Sequence, residues 1–305
     1  MLTRELGNAK LVAATPRWRD YYALTKPGVV QLLVFTAIVG MFLATPGMVP
    51  WDVLLFGSLG IGLAAAAAAV VNQILDQRLD ARMARTRQRP LPTGRVHERD
   101  AFAFALILGL SGLAVLALLV NALTAALTFV SLIGYAVIYT VYLKRATPQN
   151  IVIGGAAGAA PPVLGWTAVT GHVSGYALLL FLIIFTWTPP HFWALAIARR
   201  LDYERAEIPM LPVTHGEEVT KSFVVYYTIL LVLVSILPYL TGMTGPLYLF
   251  GALALGGGFL YYALRLKLVS SPTLAMTTFR YSISYLMALF SFLLIDHYIP
   301  AVWPQ

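Results

Sequence analysis

Val71-Asn72-Gln73-Ile74-Leu75-Asp76-Gln77-Arg78-Leu79-Asp80 follows an apolar run that begins at Val53. The run is long enough to cross a bilayer, which takes a helix of about 20 residues. Asn72, Asp76 and Asp80 recur at every fourth position. On a helix they share one face, with neighbours about 5–6 Å apart. Charge at a membrane helix is costly and usually functional. Two carboxylates and an amide are hard oxygen donors, the kind that suits Mg²⁺. Arg78, Arg82, Arg85, Arg87 and Arg89 come next. Metal-binding acids beside a basic loop describe a site for a polyanion such as a diphosphate. A helix end capped by charges is the plainer alternative, and the regular row with its basic neighbour weighs against it.

The rest of the chain agrees with a membrane setting. It has 305 residues, of which 59% are hydrophobic and only 11% charged. A soluble chain of this length needs far more polar surface, so the surroundings expected are membrane lipids. Cysteine is absent, which excludes disulfides and thiolate chemistry. The net charge of +8 does not indicate nucleic acid as a partner, because the basic residues sit between apolar runs as membrane topology requires. The first 27 residues are polar and mixed and lack the pattern of a cleavable signal peptide.

Nine spans are expected, at 28–45, 52–75, 101–120, 122–142, 150–169, 177–199, 222–240, 246–266 and 279–297. The fold class is thus all-α: a polytopic membrane protein with helices around a central cavity. All 21 Lys and Arg fall in the N-terminal tail, in the loops after the even-numbered spans, or beside them. The positive-inside rule then puts the N-terminus in the cytoplasm and the C-terminus outside. The expected organisation is a cytoplasmic tail 1–27, one membrane domain 28–297 and an external tail 298–305. Two long cytoplasmic loops, 76–100 and 200–221, each follow an even-numbered span, open on acids and end in proline turns. They read as echoes of one another, an arrangement that sets two acidic clusters face to face across a cavity.

The second acidic cluster is Asp202-Tyr203-Glu204-Arg205-Ala206-Glu207. Asp202 is its best candidate metal ligand, and Arg205 can pair with an acid or a phosphate. Lys144 and Arg145 close the fourth span on the same side, either as topology anchors or as anion contacts. Asn150, Gly154, Gly155 and Gly158 form a small-residue face that either packs closely or leaves room for a ligand. Thr186-Trp187-Thr188-Pro189-Pro190-His191-Phe192-Trp193 lies inside the sixth span. Its two prolines predict a kink. His191 is either a satisfied core histidine or a ligand contact among aromatics.

These segments together resemble the UbiA-type intramembrane prenyltransferases, and within them the branch that farnesylates heme. The residues that carry the resemblance are Leu24-Thr25-Lys26-Pro27, the Asn72–Asp80 row, Arg89-Pro90-Leu91-Pro92, Tyr142-Leu143-Lys144-Arg145, Asn150 to Gly155, Trp187 to Trp193, and Asp202 through Pro212. The resemblance implies that farnesyl diphosphate donates its farnesyl group to a vinyl of heme B, with addition of water. It implies Mg²⁺ on Asn72, Asp76, Asp80 and Asp202, with Asp76, Asp80 and Lys144 as catalytic residues. Lys26, Arg89, Lys144, Arg145 and Arg205 become diphosphate contacts, and His191 a heme contact. A bacterial plasma (inner) membrane and a heme A synthase partner are implied as well. The sequence departs from the wider family at Ala206, where the second motif commonly has an acid. Whether Asp202, Glu204 or Glu207 completes that motif stays open.

A related enzyme acting on a quinone or chlorophyll precursor is the nearest alternative, and the His191 segment argues against it. A CDP-alcohol phosphotransferase needs later acids that are missing here. A secondary transporter needs acids near the bilayer midplane, whereas these lie at its edge.

Overall fold

The computed structural model describes residues 17–143, 146–269 and 271–299. All regular structure among them is helical. Among the described residues the helices begin with α1 (Trp18–Leu24), α2 (Pro27–Leu43), α3 (Trp51–Arg82), α4 (Glu98–Leu119) and α5 (Ala122–Ile133). A π-helix, Gly134–Leu143, continues α5. Then come α6 (Asn150–Ala159), α7 (Pro161–Thr170), α8 (Gly175–Ala198), α9 (Arg200–Arg205), α10 (Leu211–Thr214), α11 (Glu217–Leu240), α12 (Pro246–Leu268) and α13 (Pro272–Tyr298).

Seven of these helices, counting α6–α7 as one, are long and apolar enough to cross a membrane. The pair α1–α2, bent by 54°, makes an eighth if taken as one span. The fourth expected span, 122–142, is a 12-residue α5 followed by the π-helix, so the described helices do not themselves give nine. Large apolar side chains such as Phe102, Ile107, Leu110 and Leu118 on α4, and Leu233 and Leu240 on α11, are exposed. They coat an integral membrane protein on its lipid side.

Several boundaries move. Helix α3 runs on to Arg82, seven residues past the expected end of its span, because nothing from Asp76 to Arg82 breaks a helix. Its 32 residues extend about 48 Å, more than the hydrocarbon needs, so the acidic row rides on the overhang. The expected loop 200–221 is largely helical, holding α9, α10 and the start of α11. Helix α8 continues through Pro189 and Pro190.

Close packing follows the glycines. A Cβ built on Gly165 would lie 1.9 Å from Ala37 O, and one on Gly40 would lie 2.3 Å from Pro162 O. Helices α2 and α7 therefore touch backbone to backbone, as small residues permit. The largest core cluster gathers Val39, Trp166, Leu180, Trp187, Leu231, Tyr248, Phe259 and Tyr285 from six helices. At one end of the bundle, His297 Nε2 meets Thr45 O at 2.9 Å and Tyr298 donates to Gly47 O at 2.9 Å. Every ion pair between described residues lies at the opposite, basic end.

Candidate active site

The acidic row is buried: Asn72, Asp76 and Asp80 are each 4% exposed. Burying a carboxylate is expensive unless a cation or donors meet it. Two segments of the chain supply them. The first is the α1–α2 hinge. Pro27 opens α2, and a residue before proline is driven from the right-handed helical region. Lys26 takes a left-handed conformation, φ 51°, which is strained for a side chain of this kind. The strain is held by α3: Lys26 Nζ donates to Asn72 Oδ1, and Gln73 Nε2 donates to Leu24 O at 2.9 Å and Ala23 O at 3.2 Å. Adjacent residues of α3 thus fix the hinge and aim its lysine at the row.

The second segment is the loop after α3. Leu91 and Val96 are 1% exposed and pack with Leu24, Val70 and Ala101. Gln77 Nε2 donates to Leu91 O at 3.2 Å, and Thr86 Oγ1 to Asp80 O at 3.0 Å. So anchored, the loop delivers Arg89 Nη1 to Asp80 Oδ2 at 2.7 Å. Arg95 at its far end pairs with Asp20 of α1 at 3.0 Å. The Arg-Pro-Leu-Pro segment is held against the helix by its buried leucine.

The π-helix lines the third side. Asn72 Nδ2 donates to Asp76 Oδ2 at 3.1 Å and to Thr140 Oγ1 at 3.2 Å. Thr140 donates to Tyr135 O at 2.8 Å, five residues back. The π-helical turns of Gly134–Leu143 that carry these residues are of a rare kind that clusters at functional sites. Tyr135 and Tyr139 stack with ring centroids 5.5 Å apart. A Cβ on Gly154 would fall 2.1 Å from the Tyr139 ring, one on Gly155 would fall 2.9 Å from Thr188 Cγ2, and one on Gly158 would meet nothing within 4 Å. The small-residue face of α6 therefore packs closely at two positions and is open at the third.

Helix α9 brings in the second cluster. Asp202 and Tyr203 are buried and Glu204 and Arg205 exposed. Tyr203 packs with Leu79 and Met83 of the α3 end and with Ile151, Ala206, Ile208 and Met210. Burial pushes its phenol pKa up; Arg85 opposes the rise and Asp202 adds to it. The basic loop and the second cluster therefore share one neighbourhood. A groove of about 270 Å³ opens there, between Arg78, Leu79 and Arg82 of α3 and Ala206, Glu207 and Ile208. Lys144 and Arg145 lie outside the described residues.

The donor set fits a hard divalent cation in kind. Its ligands are all oxygen, and the Asp202 carboxylate, 8% exposed, has no cationic partner among the described residues. Among those residues no three acidic or histidine side chains form a finished cage; Lys26 and Arg89 bring positive charge to Asn72 and Asp80.

His191 is 7% exposed on α8. Trp187 stacks on it at 4.2 Å and Phe279 at 4.6 Å, with interplanar angles of 22° and 30°. Two rings this close and this nearly parallel cover opposite faces of the imidazole. Its Nδ1 lies 2.6 Å from Ser282 Oγ, and Trp187 Nε1 donates to Ser282 O at 2.8 Å. Sequence reading missed Gln73, Tyr135, Thr140 and Ser282. The signals were present, as polar residues inside apolar spans, but the chain alone does not say which of them face the site.

Residues 33–292 match the UbiA prenyltransferase family. A protoheme IX farnesyltransferase of Alkalilimnicola ehrlichii is 63% identical over 286 residues, 94% of each chain. Among solved structures, a digeranylgeranylglyceryl phosphate synthase superposes with a TM-score of 0.75 at 18% identity, covering 92% of this chain and 98% of its own. A UbiA homolog from Archaeoglobus fulgidus, bound to GPP and Mg²⁺, gives 0.60 at 16% identity over 90% of this chain and 99% of its own. The family match spans most of the sequence, the same fold recurs in these distant structures, and the chain belongs to the UbiA prenyltransferase family.

Proposed function

We propose that the protein transfers the farnesyl group of farnesyl diphosphate to a vinyl group of heme B, with addition of water, yielding heme O and diphosphate. The observation that carries the chemistry is the buried Asn72–Asp76–Asp80 row flanked by Lys26 and Arg89. The choice of acceptor is supported by the identity to a protoheme IX farnesyltransferase.

The C1–O bond of the allylic diphosphate breaks, and its electron pair leaves with the diphosphate. The vinyl π electrons form the new bond to C1. Water adds to the resulting benzylic-type cation and loses a proton. No side-chain nucleophile is needed. Asn72, Asp76, Asp80 and Asp202 would hold Mg²⁺, which supplies positive charge to the leaving diphosphate. Asp76 and Asp80 are the catalytic acids of this reading. Lys26 and Arg89 turn from their carboxylate and amide partners toward the diphosphate and donate to it. Lys144, Arg145 and Arg205 add positive charge at the same end, Lys144 as a third catalytic residue. The Tyr135–Tyr139 stack offers ring faces to the allylic cation. His191 meets the heme.

The basic end faces the cytoplasm in this reading, with 1–27 and the loops 76–100 and 200–221 on that side, 28–297 as the membrane domain and 298–305 outside. The membrane is a bacterial inner membrane, and the product passes to a heme A synthase. The one-sided distribution of all 21 Lys and Arg supports the orientation.

The test is incubation of the purified protein with heme B, farnesyl diphosphate and Mg²⁺, followed by mass analysis of the heme. A gain of one farnesyl group and one hydroxyl group, lost on chelation, is expected. Unmodified heme alongside prenylation of a quinone precursor would overturn the acceptor.

A further inference from the structure

The geometry points to Ser282 as a positioning residue that sets the tautomer of His191 and leaves its Nε2 as an end-on donor to the heme iron. The inference rests on the reading of His191 as a heme contact and adds how the contact is made.

It follows from counting protons. A serine hydroxyl carries one hydrogen. Ser282 Oγ lies 2.6 Å from Phe279 O and 2.6 Å from His191 Nδ1. A carbonyl oxygen only accepts, so the Ser282 proton goes to Phe279 O. Were it given to Nδ1 instead, two oxygens would face each other at 2.6 Å with no proton between them. Ser282 Oγ must then accept, and His191 Nδ1 carries the hydrogen. In a neutral imidazole the other nitrogen, Nε2, is then a bare lone pair. Metal-ligating histidines are commonly fixed this way, with the second ring nitrogen donating to a neighbouring oxygen.

Sterics narrow the contact further. Trp187 and Phe279 cover the two faces of the imidazole, so a flat macrocycle cannot stack on it. Phe192 stands edge-on at 4.9 Å and 84°. The Nδ1 edge is taken by Ser282, which leaves the Nε2 edge, and an edge nitrogen approaches a heme along its axis. One turn of α13 makes the whole clamp: Phe279 supplies a ring and a carbonyl, and Ser282 a hydroxyl and a carbonyl that also holds Trp187 Nε1. Ser282 is fully buried, so no water competes for the position.

The test uses the full-length protein in detergent and four variants: Ser282→Ala, Ser282→Thr, Ser282→Val and His191→Ala. Heme B is titrated into each, in ferric and ferrous states, with absorption spectra recorded. Binding of farnesyl diphosphate and thermal stability are measured on the same preparations. Thr and Val have nearly the same shape and differ in the hydroxyl, so a packing defect strikes both alike. The expected result is heme binding weakened about 10-fold or more in Ser282→Ala and Ser282→Val. Their bound-heme spectrum should move toward that of His191→Ala. Ser282→Thr should keep the wild-type spectrum, and farnesyl diphosphate affinity should hold throughout. Equal heme spectra and affinities in the Thr and Val variants overturn the role of Ser282. If Ser282→Ala behaves as wild type while His191→Ala loses heme, the serine is again excluded and His191 stands. If His191→Ala itself binds heme with unchanged affinity and spectrum, the underlying reading of His191 falls.

Discussion

Removing either partner of the Asp80–Arg89 pair should have unequal consequences. The Asp80 side chain is 6% exposed and that of Arg89 is 23% exposed, with 2.7 Å between them. Arg89→Gln leaves a carboxylate with little access to water. Breaking a buried pair from one side typically costs about 3–5 kcal/mol. The partial exposure of Arg89 admits some solvent, which lowers the expectation to about 2–3 kcal/mol. Asp80→Asn keeps an acceptor for Arg89, whose guanidinium can also rehydrate, so about 1 kcal/mol or less is expected. The double variant places two neutral amides face to face and should cost about 1 kcal/mol. The resulting coupling is about 2 kcal/mol, or roughly 30-fold in an equilibrium constant. Denaturant titration in mixed micelles with chelator present, followed by tryptophan fluorescence, measures all four corners. Turnover should stay low in the double variant although its stability returns, because the acidic row is still incomplete. A cycle additive within about 0.5 kcal/mol would refute the idea that Arg89 neutralises Asp80 in the resting protein.

Asp76→Asn should leave the helical fold intact by circular dichroism and lower turnover at limiting Mg²⁺ by on the order of 10²–10³; near-normal turnover would remove Asp76 from the metal site. Gly154→Ala should lower stability by about 1–3 kcal/mol and slow turnover, since its new carbon would lie 2.1 Å from the Tyr139 ring. Gly158→Ala, with open space around it, should melt close to wild type, and equal melting of the two variants would contradict the packing described. Reporter fusions within 83–97 and after Pro209 should read cytoplasmic and a C-terminal fusion external, the reverse pattern inverting the orientation.

Much of this protein is determined by the sequence itself, because the features concerned are periodic or compositional. Apolar runs of bilayer length specify helices wherever they occur, and basic residues confined to alternate loops specify a side. The acidic row could be read because residues four apart on a helix are neighbours whatever surrounds them. The Thr25-Lys26-Pro27 hinge was visible as a motif, but not that Lys26 would adopt φ 51° and reach Asn72, 46 residues away. Only the fold decided that, by packing Gln73 and Asn72 of α3 beneath the end of α1. Helix α3 also outran the end that hydropathy suggested, because its polar continuation from Asp76 to Arg82 contains no helix breaker. The π-helix likewise has no sequence signature in apolar residues; Asn72 and Tyr135 O stabilise it by engaging Thr140. His191 shows the division most clearly. Its motif was conspicuous in the chain, yet spacing left a core residue and a ligand equally open. Ser282, 91 positions later, settles which ring nitrogen holds the proton, because a hydrogen bond depends on distance in space and carries no trace of separation along the chain.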